Sequence, residues 1–163
     1  MKNKHEKIKN KIKNKYSMNK LILTSLFFFI PFYISISERS VLNEKWSQKK
    51  ERNSYEIIIS LLLFINIICS LAFWSNPIQN SIIHRIDAIF ARVSIVFFTI
   101  YFLFYKETKL IMKNIYLSTL INGVIMFYFS DENSRIEWCS ENHINSHFIF
   151  HIFSIIGSIT VVL

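Results

Sequence analysis

The chain has 163 residues, 52% hydrophobic and 16% aromatic, with two Gly, two Pro and a formal charge of +8. This excludes an average soluble domain, because the apolar residues lie in long uncharged runs that report bilayer spans rather than a soluble core. Nucleic acid is not implied by the charge: eight of the nineteen basic residues are lysines of the first twenty positions, in a Lys/Asn-rich tail without interleaved aromatics, the pattern of a solvated, topology-setting flank.

Residues 1–20 are therefore read as a basic tail. Leu21 to Ser37 is a first span with Pro31 inside it, and Glu38-Arg39 after it offers no small-residue cleavage pattern, so an uncleaved anchor is expected. A charged loop, Glu38 to Glu56, leads to a second span, Ile57 to Trp74, which Asn76-Pro77 ends. Gln79 to Asp87 reads as a short amphipathic connection. Ala88 to Tyr105 is a third span, whose early Arg92 must snorkel or pair with Asp87. Leu110 to Ser130 is a fourth, with Gly123 permitting close helix approach.

Asp131 to Ser146 reads as an acidic loop, and Phe148 to Leu163 as a fifth span. At ~1.5 Å per residue that last run is short for a bilayer, which favours a start between Glu141 and Ser146 with Asn142 or Ser146 as cap. The fold class expected is all-α, a polytopic transmembrane bundle of about five spans over residues 21–163. Cys69 and Cys139 form neither a disulfide framework nor a zinc-ribbon spacing.

His143, His147 and His151 recur every four residues and so share a helix face, continued by Ser154 and Ser158. Ionisable groups in a span want partners. Counting crossings puts the start of span five on the same side as the end of span two and the start of span three. Ser70, Trp74, Ser81, His84 and Asp87 thus share one rim with the terminal histidines. Imidazoles from two helices and a carboxylate suit zinc with an open position for water, which the metal makes nucleophilic near neutral pH. In that reading His84, His147 and His151 are ligands, Asp87 takes a proton, and Ser70 or Ser81 hydrogen-bonds the oxyanion. The bland alternatives are interhelical hydrogen bonding for His147 and His151 and capping roles for His84, Asp87 and His143.

These residues resemble the CREST superfamily of membrane hydrolases, which includes alkaline ceramidases and progestin/adiponectin receptors. His147-Phe148-Ile149-Phe150-His151 is similar to the family's last-span His-x-x-x-His, Asp87 to its third-span Asp, and Thr24-Ser25 with Pro31 to its first span. The resemblance implies zinc held by three histidines and hydrolysis of lipid amides. It departs at Ser70-Leu71-Ala72-Phe73-Trp74, where Trp stands at the family's ligand His, and in having five spans against seven. Either His84 or His143 replaces that ligand, or the site is degenerate. Three functions follow as expectations: a zinc-dependent lipid amide hydrolase, a non-enzymatic membrane protein using the cluster for packing or partner binding, and a small transporter or proton-path component. Membrane lipids are the partners expected.

Overall fold

The structure, a computed structural model, describes residues 19–45 and 52–163. Most of the basic tail lies outside the described residues, although Asn19 and Lys20 are already helical. Five helices are long and apolar enough to cross a membrane, and the described residues contain no strand. This is the expected all-α bundle. Inside a bilayer a backbone must satisfy its own hydrogen bonds, and apolar runs almost free of Gly and Pro do so as helices.

Helix α1 covers residues 19–45 and is interrupted at Phe28, after which it continues as Phe29–Lys45. Pro31 explains the break, since it has no N–H to give the carbonyl four residues earlier and its ring crowds that turn. Helix α2 is Arg52–Ser75, closed by Asn76 N–H bonding Phe73 O at 3.1 Å ahead of Pro77. Helix α3 is Ile82–Ile100 and widens into a π turn, Tyr101–Tyr105, where Lys106 N–H reaches Tyr101 O at 2.9 Å. Helix α4 is Leu110–Ile136 and α5 is Glu141–Val162.

Four expected boundaries are corrected. Residues 38–45 and 52–56, expected in a charged loop, belong to α1 and α2. Span three begins at Ile82, not Ala88, because Ser81 caps it, so His84 and Asp87 belong to the helix and not to a connection. Span four runs through Asp131 to Ile136 instead of ending at Ser130, and there Arg135 pairs with Asp131 at 2.7 Å and Glu132 at 3.6 Å. Span five starts at Glu141, inside the expected window, but its cap is Ser140 rather than Asn142 or Ser146.

The helices alternate up and down, which gathers the start of α1, the end of α2, the start of α3, the end of α4 and the start of α5 at one rim. Trp138 Nε1 donates to Pro77 O across that rim at 3.2 Å. Helices α4 and α5 form the tightest pair: a Cβ on Gly157 would stand 3.3 Å from Thr119 Oγ1, and one on Gly123 would stand 3.6 Å from Phe153 Cβ. Helix α3 packs on α2, and α1 braces α2 and α5, whereas α3 and α4 diverge from the turn that joins them. One apolar core, including Leu63, Phe98, Phe102, Tyr116 and Val161, fills the end near that turn. A second, of Leu21, Phe73, Trp74 and Ile144, lies at the opposite rim.

Candidate ligand cavity at the histidine rim

Between the diverging helices lies a cavity of about 680 Å³, reaching from the histidine rim to the apolar core around Leu63, Phe98 and Tyr116. His84, Asp87 and Arg92 line it from α3, Ser70 and Trp74 from α2, and His143, His147 and His151 from α5. All four histidines outside the tail therefore meet one space, as the crossing count predicts.

Two of them are placed by the same local device. Asn80 has φ 60°, Ser81 caps α3 by accepting from His84 N–H at 3.2 Å, and His84 Nδ1 accepts from Asn80 N–H at 3.1 Å. Cys139 has φ 58°, Ser140 caps α5 by accepting from His143 N–H at 3.3 Å, and His143 Nδ1 accepts from Cys139 N–H at 3.1 Å. Each is a variant of the capping box, with an imidazole in the place of the usual Glu. A ring nitrogen that accepts from a backbone N–H carries no proton, so both neutral rings hold theirs on Nε2. The two rings flank Trp138, with centroids at 5.2 Å for His84 and 4.9 Å for His143, and His84 also stacks on Phe73 at 4.8 Å.

His147 and His151 follow on the same face of α5, with centroids 6.0 Å between His143 and His147 and 4.9 Å between His147 and His151. Their Nδ1 atoms meet hydroxyls from two other helices: Ser130 Oγ of α4 at 2.9 Å from His147, and Thr24 Oγ1 of α1 at 3.0 Å from His151. Thr24 has the Lys20 and Leu21 carbonyls within 3.1 Å, so its hydroxyl hydrogen is spent on the backbone and it accepts from His151 Nδ1–H. That leaves the His151 Nε2 lone pair without a partner among the described residues. A ring held through Nδ1 is the arrangement found behind many metal-binding imidazoles.

The remaining candidates divide. Ser70 faces the cavity and meets Ser25 Oγ at 2.8 Å; Ser25 in turn donates to Leu21 O at 2.8 Å, so the Ser70 hydrogen is directed to Ser25 and away from the cavity. Ser81 does not line the cavity at all, its Oγ being the α3 cap. Asp87 lines the cavity with no hydrogen bond or ion pair to a described residue, and Arg92, exposed on the same cavity, does not pair with it. Trp74, at 0% exposed, lies 4.9 Å from the His147 ring and 6.2 Å from that of His143 by centroids. Its Nε1–H has no partner among the described residues, nor has Asn66 Oδ1, while Asn66 Nδ2 donates to Ser94 Oγ at 2.6 Å.

Of the expected zinc ligands, His147 and His151 face each other along α5, and His84 lines the same cavity with its Nδ1 accepting from Asn80 N–H at 3.1 Å. Among the described residues, no group of three or more His, Cys, Asp or Glu side chains is placed to hold a metal. At the same rim, burial pushes the Cys139 thiol up to about 11.

Sequence reasoning offered capping roles for His84 and His143 but missed Ser81 and Ser140 as the capping serines, and Trp138 between the two rings. The signal was present as two Ser-x-x-His strings, Ser81 to His84 and Ser140 to His143, each opening an apolar helix. No family model, no curated protein and no solved structure matches the chain.

Proposed function

We propose that this is a multi-pass membrane protein that takes an amphiphile into the cleft between α3 and α4, on a CREST-like scaffold whose hydrolytic centre is degenerate. One observation carries the reading: the 680 Å³ cavity gathers its His, Asp and Arg side chains at the histidine rim and is mostly apolar beyond it, where Asn66, Ser94, Thr119 and Ser158 are uncharged. Binding sites of this size bury most of a ligand's surface with apolar walls and fix it with a few polar groups. A headgroup lies against His84, Asp87, Arg92 and His147, and its chain runs toward Leu63, Phe98 and Leu120. Trp74 stands at the sequence position where the resemblance puts a third imidazole, which supports recognition over cleavage. The test is binding of a fluorescent single-chain amphiphile to the reconstituted protein, compared with Ala91→Phe, which fills the cavity wall. Loss of saturable binding in the variant supports the reading; equal binding by both proteins overturns it.

The zinc-dependent lipid amide hydrolase remains the second reading, favoured by the hydroxyl-anchored rings of His147 and His151 beside Asp87. It requires the His84 ring to give up its bond to Asn80 N–H. Stoichiometric zinc in the purified protein, lost in His147→Ala and His151→Ala, would establish it in place of the first.

A further inference from the structure

Helix α4 presents three faces. Thr119, Gly123 and Ser130 are buried on the side of α5, and Leu120, Val124 and Phe127 wall the cavity. The third face, Ile111, Asn114, Ile115, Ser118, Ile121, Asn122, Ile125 and Phe129, is exposed throughout. Within it Ile111, Ile115, Ser118, Asn122, Ile125 and Phe129 are spaced alternately by four and three, the seam along which a second helix packs with a slight left-handed supercoil.

We propose that this seam is the interface with a second copy of the chain. Asn114, Ser118 and Asn122 recur on it at intervals of four, and Asn122 lies midway along the 27-residue helix, where a bilayer holds no water. Asn122 Nδ2 uses one hydrogen on Ser118 O at 2.8 Å. Its Oδ1, the Asn114 amide and the Ser118 hydroxyl have no partner among the described residues. Acyl chains supply none. Carboxamides and hydroxyls both donate and accept, so a two-fold axis along the bilayer normal sets each against its own equivalent with every group complemented. Copies inserted with the same topology present the seams in parallel and in register. The apolar flank, Ile111, Ile115, Ile121 and Ile125, at 42 to 64% exposed, then packs around the polar row.

The experiment uses the full chain, singly labelled, in phosphatidylcholine vesicles over a range of protein-to-lipid ratios, with dimer fraction read by single-molecule photobleaching. The wild type dimerises, and the triple variant Asn114→Leu, Ser118→Leu, Asn122→Leu, which keeps the helix apolar and well formed, dimerises about tenfold more weakly. With Cys69 and Cys139 replaced by Ala, Ser118→Cys forms an oxidative cross-link, whereas Val93→Cys, on α3 and exposed outside the cavity, does not. A monomer at every density, equal dimerisation by the triple variant, or cross-linking through Val93→Cys instead would each overturn the proposal.

Discussion

His84 and His143 occupy equivalent places in two copies of one helix start, each ring accepting a backbone N–H from the left-handed residue before its serine cap, at 3.1 Å in both. The pairing has a functional consequence, because it fixes the neutral form of two cavity-lining imidazoles as Nε2–H donors. In long-range nitrogen–proton correlation spectra at neutral pH, both rings are expected to show a bare Nδ1 and a protonated Nε2. A protonated Nδ1 on His84 would remove the obstacle to its ligating zinc.

The serines of the same devices set the energies of the helix starts. Each hydroxyl accepts one of the N–H groups that the first turn leaves unpaired, and its removal is expected to destabilise the fold by about 1 kcal/mol. Ser81→Ala and Ser140→Ala should therefore lower the denaturation midpoint by similar amounts. The double variant should depart from simple additivity, since both capping rings pack on Trp138, at 5.2 and 4.9 Å. Unfolding in mixed micelles followed by circular dichroism checks both points.

The α4–α5 crossing depends on one glycine more than the other. A Cβ at position 157 would meet Thr119 Oγ1 at 3.3 Å, and that hydroxyl is held by a 2.8 Å bond to Tyr116 O, so it has little freedom to retreat. Gly157→Ala should destabilise the bundle by about 1 kcal/mol or more through overpacking. Gly123→Ala, with 3.6 Å to Phe153 Cβ, should be tolerated. Comparing the two thermal midpoints tests the difference, and equal losses would contradict this account of the crossing.

How much of this was legible in the sequence depended on the physics behind each feature. The shared rim of His84, Asp87, His147 and His151 followed from span counting, which needs only long apolar runs. The helix ends did not follow, because hydropathy stops where charge begins while the helix continues. Asp131 to Ile136 was expected to be a loop yet is α4, with Arg135 paired one turn back to Asp131. The start of α5 fell inside the expected window, but its Ser140 cap was hidden because the left-handed residue before it is Cys139, where Gly or Asn would have signalled the turn. The anchors of the deeper rings, Thr24 and Ser130, come from other helices, and no local pattern distinguishes them from ordinary hydroxyls.

Cys139 supplies a pH-dependent check on the rim. Burial moves its thiol from 9.0 up to about 11, so the folded state holds the proton more tightly than the unfolded chain. The sign follows: the thiol does not oppose folding below pH 9, and it disfavours the folded state increasingly as pH rises from about 9 toward 11. At pH 8 the thiolate is about a hundredfold scarcer than in the unfolded chain, and alkylation should be slower in proportion. Mass-spectrometric rates of iodoacetamide labelling, native against denatured, measure this. Equal rates would mean that the loop between α4 and α5 opens freely.

Trp74 offers the sharpest test of the relation to CREST-type hydrolases. It stands four residues after Ser70, where the family pattern has a histidine, and its ring centroid lies 4.9 Å from that of His147. Trp74→His removes a large buried side chain, so the apo variant should lose about 3 kcal/mol of stability to the resulting void. If the scaffold is degenerate in the way proposed, the same change restores a third imidazole to His147 and His151, and the variant binds one zinc per chain with a rise in thermal midpoint on adding metal. His151→Ala in that background should abolish the rise. A Trp74→His variant that loses stability and gains no zinc would show that Trp74 is part of the packing around the cavity, and that the likeness to the hydrolases does not extend to their metal centre.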